Sequence, residues 1–136
     1  MIKDIPFLKV ADLAMAMVPR LVFEEGHEDF WDAYLLNLKD EPIFSVIINS
    51  SGHGELEGEP RRTTSLRYFW ERIEAQTAVR VEPVYKAVFG LTNEYWVSFL
   101  YRDYLYDKQY MFVPGSFDER HFCDIPLLRR RGVMIR

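Results

Sequence analysis

NEYWVSFLYRDYLYDKQYMFVP, residues 93–114, contains two runs of aromatic and β-branched residues around a polar centre at Arg102-Asp103. Such runs separated by two turn-forming residues read as a β-hairpin. With Arg102 and Asp103 as the loop, Tyr101 faces Tyr104, Phe99 faces Tyr106 and Tyr95 faces Tyr110. The strand period of two then lines an aromatic ladder along one face, and cross-strand aromatic pairs contribute about 0.2–1 kcal/mol each. The other face carries Trp96, Ser98, Leu100, Leu105 and Met111. Both faces are apolar, so the hairpin is either packed on both sides or offers one side to a partner.

Working outward, WDAYLLNL (31–38) and IFSVIIN (43–49) flank Lys39-Asp40-Glu41-Pro42 and read as a second hairpin. Residues 64–70 alternate as a strand, although a short helix through Arg72 also fits. Residues 77–82 are β-like and end at Pro83. Residues 85–91 fit a helical turn or an irregular crossover ended by Gly90, and Leu13 to Val18 form an early strand stopped by Pro19. FDERHF (117–122), with Ser116 as N-cap, fits a short helix, and the tail ends in a last strand after a basic triplet. The expected fold is mainly β, or α+β with minor helix: an antiparallel sheet built from hairpins in a single domain over residues 1–136.

Composition narrows the class. The 136 residues are 49% hydrophobic and 28% charged, and 15% aromatic content excludes a disordered or low-complexity chain. A net charge of −4 argues against nucleic acid as a partner. Cys123, the single cysteine, cannot form an internal disulfide, and the uncharged run from Leu13 to Pro19 is far below the ~20 residues of a membrane helix. A cytoplasmic protein with no membrane association is expected.

Motifs with chemical meaning are few. Glu24 and His27 have a metal-ligand spacing, but the run around them reads as a solvated loop. His121 and Cys123 are too close in sequence to meet as a catalytic pair, and a lone cysteine between Phe122 and Ile125 reads as a small buried hydrophobe. The Gly-rich segment 50–62 lacks a phosphate-loop spacing, and Pro60 blocks the helix such a loop needs. It reads as a surface loop over a pocket, where His53, Arg61, Arg62 and Ser65 would meet an anionic ligand. Arg129-Arg130-Arg131 beside aromatic strands suggests a single-stranded RNA platform, although the aromatic signature of the common RNA-binding sheet is absent. No catalytic residue, metal or cofactor is assigned.

The segments IKDIP…VADLAMAMVP, WDAYLLNLKDEPIFSVIINSSG, TTSLRY, NEYWVSF…LYDKQYMFVPGS and IPLLRRRGV together resemble a family of short bacterial proteins of uncharacterised activity. Some of its members carry the name of a phenylalanyl-tRNA synthetase subunit. A synthetase core of that class needs several hundred residues and an arginine-containing ATP site, and no such motif is present here. The resemblance implies a compact family domain and no catalytic residues. The first functional expectation is therefore a non-enzymatic domain that contacts another protein or a second copy of itself, through Tyr95, Trp96, Tyr101, Tyr104, Tyr106 and Tyr110. The alternatives are the small-molecule pocket under residues 50–62 and single-stranded RNA.

Overall fold

Two sheets bury one face against each other: side chains alternate between buried and more open positions along β4, β8 and β9, whereas β2 and β3 are buried along most of their length. The computed structural model describes residues 3–4, 9–20 and 29–136. In chain order its strands are β1 (Lys3–Asp4), β2 (Leu13–Pro19), β3 (Phe30–Asn37), β4 (Ile43–Leu56), β5 (Glu59–Arg62), β6 (Leu66–Ile73), β7 (Thr77–Tyr85), β8 (Thr92–Tyr101), β9 (Tyr104–Phe112), β10 (Cys123–Ile125) and β11 (Arg130–Ile135). The first sheet has six strands in the order β1-β9-β8-β4, with β5 and β6 both paired to β4. The second has five, in the order β10-β11-β2-β3-β7. All pairs are antiparallel except β1 with β9. The mainly β expectation holds; the short helices are single 3-10 turns at Lys86–Val88 and Glu119–His121.

One apolar core joins the inner faces of both sheets, with Met15, Met17 and Leu35 from the second sheet against Ile48, Val97, Phe99 and Tyr110 from the first. Trp31 closes one end, meeting Phe89, Phe117 and Phe122 edge-on at 5.2, 5.6 and 5.5 Å. The hairpin of 93–114 forms as read. Tyr101 pairs with Tyr104, Phe99 with Tyr106 and Tyr95 with Tyr110. Both loop residues have positive φ, 51° at Arg102 and 67° at Asp103, the backbone that matches a two-residue turn to the twist of its strands.

Three expectations are corrected. The segments 31–38 and 43–49 are not a hairpin: β3 pairs with β2 and β7, while β4 pairs with β5, β6 and β8. Buried Asn37 turns the corner between the sheets. Its amide donates to Glu41 O at 3.1 Å and Glu74 O at 3.0 Å, and its side-chain oxygen accepts from Lys39 N at 3.1 Å. Residues 50–62 are not a free loop either, because β4 runs on to Leu56 and turns into β5 through Glu57 and Gly58, both at positive φ. The cap of the turn at 119–121 is Asp118, whose side chain accepts from Arg120 N, rather than Ser116. The run containing Glu24 and His27 lies outside the described residues.

The two outer faces differ. On the second sheet, Ala14, Ala16, Val18 and Leu36 are fully buried and cluster with Ile125, and Leu128 and Met134 pack against them. The outer face of the first sheet carries Phe44, Phe69, Trp96, Leu105 and Met111 at 38–61% exposure.

Candidate functional sites

The register of the first sheet arranges its exposed apolar residues in two rows. Ile47 on β4 lies opposite Phe69 on β6 and Ser98 on β8, which sets Trp96 diagonally beside it. Trp96 in turn lies opposite Gln109 on β9, and Met111 sits diagonally beyond. Phe69, Ile47, Trp96 and Met111 therefore run obliquely across four strands. Phe44, Leu100 and Leu105 form a second, straight row on β4, β8 and β9. A bulge in β4, with Ser45 at φ 48°, returns both Phe44 and Ile47 to this face. A cavity of about 400 Å³ adjoins the second row, lined by Glu41, Phe44, Leu100, Tyr101 and Arg102 among others. There Glu41 accepts from the Tyr101 hydroxyl at 2.9 Å and from Arg102 Nε at 2.8 Å. These two hydrogen bonds hold the Glu41 carboxyl below the usual glutamate range.

Of the six interface residues expected from sequence, Trp96 alone reaches this face. Tyr95 and Tyr110 are 1% and 0% exposed inside the sandwich, so their part in an interface is corrected. Tyr101, Tyr104 and Tyr106 sit half-buried on the same inner side near the hairpin tip. The ladder was legible; which of two apolar faces turns inward was not. Phe69, Leu105 and Met111 complete the exposed surface, with half-buried Ile47 between Phe69 and Trp96.

A second site lies between the sheets. A bulge between Ala33 and Tyr34 of β3 sets Val81 in excess on β7, and a bulge re-aims the side chains beside it. Val81 and Glu82 both turn inward. The Glu82 carboxylate then accepts from Ser50 Oγ at 2.9 Å, the Tyr68 hydroxyl at 2.7 Å and the Tyr95 hydroxyl at 2.8 Å. These donors come from β4, β6 and β8, so one carboxylate ties the second sheet to three strands of the first. Burial and the Glu82 charge push the Tyr68 hydroxyl up to about 12, and burial, reinforced by Glu82, holds Tyr95 well above the ordinary tyrosine value.

The consequence for pH has a definite sign. Tyrosine ionises near 10 when unfolded, whereas folded Tyr68 keeps its proton to about 12. The stability contributed by the protonated hydroxyl is complete below pH 10 and lost as pH rises through the window from 10 to 12. Urea midpoints are expected to stay level from neutral pH up to that window and fall within it, and a Tyr68→Phe variant should show a shallower fall. An equal fall in both would remove Tyr68 as a cause.

A cleft of about 200 Å³ opens over this carboxylate, lined by Ser50, Thr63, Glu82, Tyr85, Asn93 and Tyr95 among others. This cleft borders residues 50–52 and 63–64 and differs in chemistry from the anionic-ligand pocket expected beneath residues 50–62. His53 lies on the outer face 3.3 Å from Glu94, and Arg61 pairs with Glu59 at 3.4 Å in solvent. Arg62 and Ser65 are also exposed. None of the four lines the cleft, and no Lys or Arg does, so an anionic ligand finds a carboxylate there instead of a cation. The basic triplet is likewise separate from the aromatic rows. Arg130 donates to Pro19 O, and Arg131 donates to Phe122 O at 3.1 Å on the second sheet. His121 is exposed in its 3-10 turn and Cys123 half-buried in β10.

No helix among the described residues is long and apolar enough to cross a membrane. No protein-family model matches the chain, and no curated protein or solved structure was found to be similar to it.

Proposed function

We propose that this chain is a non-enzymatic, cytoplasmic protein-interaction domain whose contact surface is the outer face of the six-stranded sheet. The supporting observation is the asymmetry between the two outer faces. The second sheet buries Ala14, Ala16, Val18 and Leu36 completely, whereas Phe69 at 61% and Trp96 at 42% stand open on the first. Contiguous exposed apolar surface on a folded domain marks a binding site, and aromatic residues and methionine are enriched in such sites.

Placing a photo-crosslinking amino acid at Trp96 tests this reading in the cells that make the protein. A discrete adduct is expected from position 96 and none from Asp118, an exposed residue away from the sheet. Equal labelling from both positions would contradict a dedicated surface. An adduct of twice the chain mass identifies the partner as a second copy, and any other discrete mass identifies a different protein.

A further inference from the structure

The edge strands of the two sheets are not equivalent. An edge presents unpaired N–H and C=O groups that invite another strand, and proteins blunt such edges by making them short or placing proline in them. β1 and β10 are two and three residues long, β5 carries Pro60 and β7 carries Pro83. β6 is eight residues long, LRYFWERI, without proline, glycine or lysine. One of its edges pairs with β4; no strand among the described residues pairs with the other. Its most exposed large apolar residue, Phe69, sits in the middle.

The geometry points to β6 as a self-pairing edge: two copies of the chain join β6 to β6 antiparallel, about a twofold axis through Phe69. This rests on the interaction-surface reading and names a second copy as the partner. Because side chains alternate between faces, a register that keeps inner residues opposite inner ones must centre on a residue. Centred on Phe69, Arg67 of each copy faces Glu71 of the other, so the axis generates two opposite-charge pairs, and Phe69 meets its own copy between them. Inside, Tyr68 faces Trp70, extending a ring pair already 6.3 Å apart within one chain. Centred instead on Tyr68, Arg67 would face Phe69; centred on Trp70, Phe69 would face Glu71. Glu71 is exposed and has no ion pair among the described residues, while Arg67 donates to Asn49 Oδ1 at 3.0 Å on the outer face. Pairing also joins the oblique rows of the two copies end to end through Phe69.

Sedimentation of the full chain with charge-swapped variants tests the register. The wild type is expected to dimerise, and Glu71→Arg to weaken the dimer by about tenfold or more, because it sets like charges opposite each other twice. Arg67→Glu with Glu71→Arg should restore it, with far-UV circular dichroism unchanged throughout. In a Cys123→Ser background, Phe69→Cys should crosslink readily on oxidation, since directly opposed residues lie within disulfide reach, and Ser98→Cys should not. A wild type that stays monomeric at high micromolar concentration overturns the proposal, as does a dimer that the double swap fails to restore. Either result leaves the adduct test at Trp96 free to identify a different protein on the exposed face.

Discussion

Gly132→Ala is expected to cost about 3 kcal/mol or more of folding stability, a large share of the ~5–15 kcal/mol that a domain of this kind has. β11 lies between β10 and β2, with Gly132 opposite Cys123 on one side. A methyl group at Gly132 would stand 2.3 Å from the carbonyl oxygen of Met17, 2.8 Å from Val18 Cγ1 and 3.1 Å from Val18 Cα. Two of these three atoms are backbone, and β2 is held on its other side by β3. The clash cannot be relieved by turning a flexible side chain, so β11 must move away from β2 and loosen the cover over Ala16 and Val18. Gly115→Ala serves as the contrast, because nothing lies within 4 Å of its added methyl and only the φ of +93° opposes it. That change should cost about 1 kcal/mol. Urea unfolding of both variants reads the difference, and a Gly132→Ala protein as stable as the wild type would mean that β11 does not approach β2 this closely.

What could be read from the residues follows from how local each feature is. The β8–β9 hairpin was legible because two polar residues between aromatic runs define loop and register together, as Tyr101 opposite Tyr104 shows. The β3–β4 connection looked the same locally and turned out otherwise. Strand patterns and a turn do not say whether consecutive strands pair or separate into two sheets. That choice depends on Asn37 meeting the backbone of Glu74, thirty-seven residues away. Residues 50–62 misled through composition, since glycines and Pro60 suggest a loop even where an edge strand and a tight turn accept them.

The candidate sites were hidden for related reasons. In TAVRVE, strict alternation with Val79 and Val81 inside puts Glu82 in solvent; the bulge opposite Ala33 and Tyr34 reverses it. A bulge depends on the partner strand and leaves no periodic mark of its own. Trp96 was found because its face of the hairpin carried a visible apolar pattern. Its neighbours Ile47 and Phe69 were missed because their adjacency arises from the pairing of β4 with β6 and β8.

Glu82→Leu is the second change expected to have a large effect, about 3 kcal/mol. The substitution fits the apolar surroundings in size but removes the acceptor of three hydroxyl groups. Ser50 is 5% exposed and Tyr95 1%, and leaving a buried donor without its acceptor costs ~1–3 kcal/mol. The Met17 sulfur at 3.9 Å offers Tyr95 a poor substitute. Tyr68 is half-buried and can turn to water, so it adds little. Tyr95→Phe alone should cost only about 1 kcal/mol, because Glu82 keeps the other two donors. Combining the two should cost less than their sum by ~1–2 kcal/mol, since the phenylalanine no longer leaves a stranded hydroxyl beneath the leucine. Strict additivity would mean that Glu82 and Tyr95 do not meet in the folded protein. Coupling of the expected size would establish Glu82 as a tie between the sheets. The same cycle run with Trp96→Ser in place of Tyr95→Phe should show no coupling, because Trp96 faces away from Glu82 on the opposite side of its strand. A surface variant that leaves the tie intact is the form in which loss of partner binding can be read without loss of fold.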